Sequence, residues 1–253
     1  MVKYCNYIIL MLLVSMNTHK GISQKFTIGG ALRYPIYAEL STIDEKIYYF
    51  ADDVNSIYSV QPEDKLNPRS FIFPEVYARV MFNDNIFARY RIGYLSFLKS
   101  VNINYNSRYH DDLNYTNSFD YSFLTNQLSV GYRFFRGKEF RFELSAGVSN
   151  YYLLRFKEVS HKDESLLLVN QYPFGQVIHQ DFSSIKNSFF CYDLSAGLEY
   201  YILLLNVSYQ GSFTELNVEG DFYKSYNAFF VSAGINLFNF MIENKKIVKY
   251  KSE

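Results

Sequence analysis

The sequence predicts an all-β protein whose fold class is an eight-stranded antiparallel up-and-down transmembrane β-barrel. Three observations predict it: segments in which apolar residues alternate with small or polar ones, connections that alternate between short and long, and aromatic residues beside the short connections. Alternation with a period of two is typical of a β-strand with two different faces. In a membrane barrel the apolar face meets lipid, and the small or polar face lines the interior.

The composition agrees with strands in a membrane. The 253 residues include 25 Tyr and 24 Phe but no Trp, with only 5 Pro and 12 Gly. Tyr and Phe favour strands, and aromatic residues gather at membrane interfaces. Lys plus Arg and Asp plus Glu are equal at 25 each, so no basic excess indicates a nucleic-acid partner.

The first 23 residues are predicted to be a cleaved secretory signal peptide. Lys3 precedes an apolar run at residues 7–16, and small residues follow where a signal peptidase would cut. The run is shorter than the roughly 18 to 20 residues that a membrane-spanning helix needs. We therefore expect an exported chain whose mature part begins at Gln24.

Eight strands follow from the alternation. They are predicted at residues 26–37, 71–82, 86–97, 121–135, 140–156, 189–200, 203–210 and 227–238. Most reach the roughly 9 to 11 residues with which a tilted strand crosses a bilayer. One short pattern recurs in four of them: Leu128-Ser-Val-Gly-Tyr132, Leu144-Ser-Ala-Gly-Val148, Leu194-Ser-Ala-Gly-Leu198 and Val231-Ser-Ala-Gly-Ile235. Residues 46–60 have a second interpretation, as an additional hairpin arm that projects beyond the membrane.

The connections between these strands alternate in length. Those near 83–85, 136–138 and 200–202 are short, whereas those at 39–69, 99–119 and 159–186 are long and polar, and 214–224 is intermediate. Short turns at one end and long loops at the other are typical of membrane barrels. A sandwich with Greek-key crossings has no reason to alternate in this way.

The inward faces are predicted to carry a polar network, and the short turns an aromatic girdle. The network consists of Arg79, Arg89, Arg91, Arg133, Arg141, Glu143, Asp193 and Glu199. The girdle, at the periplasmic interface, consists of Phe82, Phe134, Phe140, Tyr200, Tyr201 and Phe238. Side chains nearly fill an eight-stranded barrel, so we expect no wide pore. The same charges would also suit the solvated face of a one-sided soluble sheet. Cys191 is expected to point inward as a small filler.

The repeated Ser-Ala-Gly pattern at 145–147, 195–197 and 232–234, the signal ending before Gln24 and the closing strand at 229–238 carry a resemblance. The chain resembles the outer-membrane β-barrel families of Gram-negative bacteria. In size it is similar to OmpA and OmpX, and it looks especially like the porin-family or PorT-like barrels of Bacteroidota. The resemblance implies an outer-membrane barrel domain at 24–240. The basic tail at 241–253 is then expected to be a solvated periplasmic extension, although such barrels usually end on an aromatic residue.

Candidate chemistry is confined to polar residues of the long connections. They are His110, Asp111, Asp112, His161 and His179. They could bind a divalent metal or act on lipid acyl groups, or they are polar residues facing water. None has the spacing of a metal motif such as two His four residues apart. We therefore expect no catalytic, cofactor-binding or metal-binding residue.

The resulting functional prediction is a non-enzymatic integral outer-membrane protein with a structural, adhesive or secretion-accessory role and little or no conduction. Its expected partners are outer-membrane lipids, and other envelope or extracellular proteins that contact the long connections 39–69, 99–119 and 159–186. No cofactor and no nucleic acid are expected. Two alternatives stay open: a lipid-modifying outer-membrane enzyme, and a secreted soluble β-barrel or sandwich that binds a small apolar ligand.

Overall fold

The structure is a computed structural model that describes residues 24–42, 47–50, 56–70, 72–107, 110–134, 140–159, 185–213, 216, 223–243 and 246–249. The predicted signal peptide at 1–23 and the two candidate histidines His161 and His179 lie outside these residues. All regular structure in the described part of the chain is β-strand. No helix there is long and apolar enough to cross a membrane.

Eleven strands make up the described sheet. They are β1 (Gln24–Thr42), β2 (Ile47–Phe50), β3 (Ser56–Pro68), β4 (Phe73–Met81), β5 (Ile86–Ser107), β6 (His110–Phe134), β7 (Phe140–Val159), β8 (Ser188–Tyr200), β9 (Leu203–Ser212), β10 (Tyr223–Glu243) and β11 (Lys246–Lys249).

The sheet closes into a ring of eight strand positions. Consecutive strands from β4 to β10 pair antiparallel, β4 also pairs with β1, and β1 pairs with β10 from Gln24↔Ile242 to Thr42↔Tyr223. β3 and β4 both pair with β5 at different heights, so they share one position. Each of the eight positions is thus paired with a neighbour on both sides over part of its described length, which is what a strand protein needs in lipid. The predicted fold class is therefore confirmed.

The two ends of the ring differ. At one end, here called the short-turn end, the Asn83 side chain accepts hydrogen bonds from the backbone N–H groups of Asn85 at 2.8 Å and Ile86 at 2.6 Å. The turn between β8 and β9 lies at the same end and holds Tyr201 at a φ of 50°. This left-handed conformation is uncommon outside glycine. The opposite end is called the loop-side end.

At the loop-side end the strands are longer than predicted. β5 and β6 stay paired up to Ser107↔His110, so the described residues 99–107 and 110–119 extend the two strands and are not a polar loop. The thickness of the bilayer limits only the length of the lipid-facing part of a strand. Beyond the membrane, two antiparallel strands can continue to pair through backbone hydrogen bonds. β2 pairs with β3 from Ile47↔Val60 to Phe50↔Ile57, which matches the alternative interpretation of 46–60 as a hairpin arm.

The tail also differs from the prediction. β10 continues to Glu243, and β11 pairs with its last residues from Phe240↔Lys249 to Glu243↔Lys246. β9 covers β10 only as far as Ile235, so the end of β10 has backbone groups available for β11. Part of the segment 241–253 is therefore paired sheet.

The polarity of the two faces inverts along the barrel. On β5 the inward residues change from Arg91 to Leu95 and Phe97, whereas the outward residues change from the exposed Tyr94 to the half-buried Ser100. The loop-side interior is a mainly apolar cluster that includes Phe73, Phe97, Tyr121, Phe123, Tyr151, Phe189, Tyr226 and Phe230. Outside lipid the wall meets water, so an apolar interior becomes favourable there, as in a soluble barrel.

Candidate functional site

The outer wall is apolar over a height that fits a bilayer. Large apolar side chains point outward with high exposure, as at Val76 (61%), Val130 (57%) and Leu194 (54%). From Phe142 to Tyr152 a tilted strand rises about 25 Å, the height of the apolar band in such barrels. This apolar stripe is the lipid-facing band of the barrel.

The six aromatic residues of the predicted girdle lie at or near the short-turn end. Five are exposed, and Phe134 is half-buried. The rings of Phe140 and Tyr200 stack with their centroids 4.6 Å apart, and Tyr201 contacts Tyr200 edge-on at 4.7 Å. Phe238 stacks on Phe240 at 6.2 Å. Aromatic rings in such a row suit the boundary between hydrocarbon and headgroups.

Inside the barrel near this end, four arginines surround two glutamates in what is called here the charged layer. Arg79 Nη1 lies 2.7 Å from Glu143 Oε1 and 2.6 Å from Glu199 Oε2. Arg133 Nη2 reaches the same two oxygen atoms at 2.9 and 3.0 Å. Both glutamates are nearly inaccessible, with exposed side-chain fractions of 2% and 3%. The two arginines and two carboxylates therefore form one compact network.

The other two arginines complete the charged layer from opposite sides. Arg89 donates to Glu143 and lies over the Phe87 ring at 4.7 Å. Arg141 Nη1 is 3.0 Å from Glu199 Oε1, and its side chain is 32% exposed, in contrast to the 3% of Arg79. Arg141 is therefore the member of the layer that meets solvent at the short-turn end.

The charged layer crosses the whole interior. Arg79 lies on β4 and Glu199 on β8, which are four of eight ring positions apart and so face each other across the barrel. A glycine on the barrel wall makes room for the side chains that pack beside this layer. A Cβ on Gly131 would lie 2.3 Å from the Phe87 ring, so no larger residue leaves room for that ring beneath Arg89.

A second polar layer lies nearer the middle of the barrel. Asp193 accepts hydrogen bonds at 2.6 Å from the amides of both Gln127 and Gln210. Arg91 lies 3.7 Å from Glu75, and both side chains are 3% exposed. Arg33 interacts electrostatically with Asp193, so the two arginines Arg91 and Arg33 match the two carboxylates Glu75 and Asp193 in this layer.

A third set of contacts bridges the interior at the loop-side end. The hydroxyls of Tyr121 on β6 and Tyr223 on β10 lie 2.7 Å apart, again between opposite ring positions. Tyr226 donates to the Tyr151 hydroxyl at 3.2 Å. Side chains therefore span the interior at the short-turn end, near the middle and at the loop-side end.

Lys99 is buried above the lipid-facing band. Its ammonium donates to the backbone carbonyls of Leu40 and, at 2.9 Å, Glu63, and its side chain is fully buried. Burial lowers the pKa of Lys99 to about 8, because a charged ammonium is costly away from water. Its ladder partner on β3 is Leu66, which follows three exposed charged residues at 63–65, and this places Lys99 outside the membrane-spanning part of β5.

The structure thus brings seven of the eight predicted interior residues into charged contacts across the barrel interior. These are Arg79, Arg89, Arg133, Arg141, Glu143, Glu199 and Arg91. Asp193 joins the two glutamines instead. Cys191 is fully buried and faces the apolar interior cluster. No group of His, Cys, Asp and Glu that could hold a metal is found among the described residues.

Several residues of the polar interior were not predicted from the sequence. Arg33 is 4% exposed and lies 3.6 Å from the Phe230 ring centroid, and Glu75 is the partner of Arg91. Both lie within predicted strands, 26–37 and 71–82, in phase with the inward residues, so following the alternation through the whole of each strand would have found them. Lys99 had no such signal, because its segment was predicted to be a loop.

These features define the class of the protein as a transmembrane β-barrel whose interior is filled by side chains that are polar at the level of the lipid-facing band and mainly apolar at the loop-side end. No protein-family model and no curated protein matches the chain. Among solved structures it is similar to Ail, the attachment invasion locus protein of Yersinia pestis, at 9% identity over 85% of this chain and 99% of that chain, with a TM-score of 0.37. The outer membrane protein OprG from Pseudomonas aeruginosa shares 11% identity over 86% of this chain and 96% of that chain, at a TM-score of 0.39. LpxR from Salmonella typhimurium shares 7% identity over 83% of this chain and 99% of that chain, at 0.27.

Proposed function

We propose that this chain is a non-enzymatic integral outer-membrane protein, exported through a cleaved signal peptide at 1–23, whose loop-side extension makes contacts outside the membrane. The observation that carries the proposal is that the barrel is bridged inside, while its strands continue past the lipid-facing band. Arg79–Glu199 at 2.6 Å and Tyr121–Tyr223 at 2.7 Å each join opposite sides of the interior. A barrel closed in this way serves as an anchor and not as a channel.

The contact surface is then the extension itself. β5 and β6 run 22 and 25 residues, about twice what crossing a bilayer needs. The extra length, with the β2–β3 arm beside it, projects a paired sheet that is held by ladder hydrogen bonds. Such a rigid projection supports a structural, adhesive or secretion-accessory role with an envelope or extracellular protein as partner. The Ser-Ala-Gly repeats favour a porin-family or PorT-like barrel of Bacteroidota as the finer assignment.

The first test is the gel mobility of membrane-extracted protein, with and without boiling in detergent, together with its fractionation. Outer-membrane fractionation and a heat-dependent shift support the proposal, because folded barrels resist detergent until heated. A protein that stays soluble without detergent and shows no shift would contradict it. Planar-bilayer recordings should show little or no current.

The contact role is tested by shortening the extension. Replacing residues 102–116 with Asn-Gly joins Val101 to Asn117, which face each other in the ladder, through the residues of a tight hairpin turn. The shortened chain should keep its heat-dependent shift but fail to restore the contact-dependent function that a deletion strain lacks. Restoration of that function by the shortened chain would refute the role of the extension.

Substitution of the candidate histidines distinguishes a non-enzymatic barrel from a lipid-modifying enzyme. His110, His161 and His179 are each replaced by Ala, and the lipid composition of the outer membrane is compared with that of the deletion strain. A non-enzymatic barrel leaves the lipids unchanged in every variant. Loss of a lipid A modification in any of them would assign the chain to lipid-modifying enzymes.

A further inference from the structure

The charged layer is not electrically neutral. It contains four arginines, Arg79, Arg89, Arg133 and Arg141, and two carboxylates, Glu143 and Glu199. Two positive charges are therefore left over among the described residues of the layer. The second polar layer has two arginines for two carboxylates, so the excess belongs to the short-turn end.

Hydrogen-bond donors are also in excess there. The Nε atoms of Arg79, Arg89 and Arg133 are buried and have no hydrogen-bond partner in the structure. These three side chains are each at least nine-tenths buried. Each guanidinium has five N–H donors, and the carboxylate oxygens of the layer already accept from arginine.

Unbalanced charge is expensive at this place. Buried charges lose their hydration, and their repulsion is screened much less than in water. A site with an excess of one sign of charge also attracts counter-ions of the opposite sign. Arginine binds oxyanions well because its planar donors match two oxygen atoms at once.

We propose that the charged layer binds a small oxyanion of the phosphate class, which reaches it from the short-turn end. Arg141 is the contact with solvent, because its side chain is 32% exposed whereas that of Arg89 is 1% exposed. The anion supplies the missing negative charge and accepts hydrogen bonds from the arginine N–H groups that have no partner in the layer. Its role is to complete the interior network of the barrel.

The test is calorimetric titration of inorganic phosphate into the folded full chain in non-ionic detergent, with gluconate balancing the ionic strength. Saturable binding at one phosphate per chain is expected. Arg141→Gln should weaken it roughly tenfold, the effect of losing one charge-assisted hydrogen bond. The matched control is Arg155→Gln, an exposed arginine at the loop-side end, which should bind phosphate as the unaltered chain does.

A second variant keeps the proposal testable if Arg141→Gln does not fold. Glu199→Gln removes a negative charge and should bind phosphate more tightly than the unaltered chain. The absence of saturable heat with the unaltered folded chain overturns the proposal by itself, as does equal weakening by Arg141→Gln and Arg155→Gln.

Free phosphate and a lipid phosphate group share this chemistry, and a competition experiment separates them. The titration is repeated in mixed micelles that contain phosphatidylglycerol. Loss of the heat of phosphate binding in these micelles assigns the site to a lipid headgroup at the periplasmic surface. Unchanged binding assigns it to free phosphate.

Discussion

Replacing Glu199 with Gln tests whether the charged layer stabilises the barrel. The Glu199 carboxylate is 3% exposed and contacts Arg79 at 2.6 Å, Arg133 at 3.0 Å and Arg141 at 3.0 Å. Gln has nearly the same shape but no charge. The change therefore removes the electrostatic contribution and leaves packing almost intact.

The expected loss follows from the charges that remain. Without Glu199, Glu143 is the one carboxylate left for the four arginines of the layer and contacts three of them, while Arg141 loses its described carboxylate partner. Removing one partner of a buried ion pair typically costs about 3 to 5 kcal/mol. The Gln side-chain oxygen still accepts one hydrogen bond, so we expect a loss of about 3 kcal/mol in the free energy of unfolding.

The assay is urea-induced unfolding in detergent micelles, followed by the heat-sensitive gel mobility of the folded barrel. The control is Asp84→Asn, whose carboxylate is 61% exposed and lies 3.8 Å from Lys25. An exposed pair contributes about 0 to 1 kcal/mol. If Glu199→Gln and Asp84→Asn lower the free energy of unfolding by the same amount, the charged layer does not stabilise the barrel.

A double-mutant cycle adds a sharper criterion. Arg141 has its one described carboxylate contact at Glu199, so removing Arg141 as well should recover part of the loss. A coupling free energy of about 1 to 3 kcal/mol is expected for groups in one ion-pair network. Additive effects of Glu199→Gln and Arg141→Gln would show that the two side chains act independently.

Three further predictions concern the wall and the extension. Leu194→Arg places a charge in the middle of the lipid-facing band and should cost about 2 to 4 kcal/mol in urea unfolding, whereas Ser100→Arg beyond the band should cost nearly nothing; equal effects would argue against the assigned band. Gly131→Ala puts a Cβ 2.3 Å from the nearest ring carbon and should cost about 1 to 3 kcal/mol, but Gly30→Ala, whose Cβ meets nothing within 3.9 Å, should not reduce the folded fraction on gels. Because the pKa of Lys99 is about 8 in the folded chain and 10.5 when unfolded, the folded state holds fewer protons between these values. The free energy of unfolding should therefore rise by about 3 kcal/mol as pH increases through that window, and this rise should be absent in Lys99→Met.

The strands of the lipid-facing band were predictable because one physical signal dominates there. Each inward Ser or Gly alternates with an outward apolar residue, as in the pattern that begins at Leu194, and a shift by one residue would reverse both faces. The short turn at Asn83 was predictable too, since its side chain caps the turn locally. In these cases the decisive interactions lie within a few residues of each other.

The loop-side end was not predictable in the same way. Residues 99–119 contain many polar side chains, which a local pattern cannot distinguish from a loop. Their strand conformation depends on pairing between β5 and β6, and the burial of Lys99 depends on carbonyls 36 and 59 residues away. Such contacts exist only once the ring is closed.

The sequence by itself determined the fold class, the positions of the membrane-crossing strands and which side chains face inward, because alternation assigns each residue to one face. The tertiary structure alone decided which inward residues meet. Arg79 and Glu199 are 120 residues apart and touch only because closing eight positions places β4 opposite β8. The tertiary structure also decided the inversion of polarity above the lipid-facing band and the excess of two positive charges among the described residues of the charged layer. The physical reason is that ring closure and strand stagger determine which side chains meet across the barrel. Whether a side chain points inward or outward depends only on its own position in the alternation along the strand.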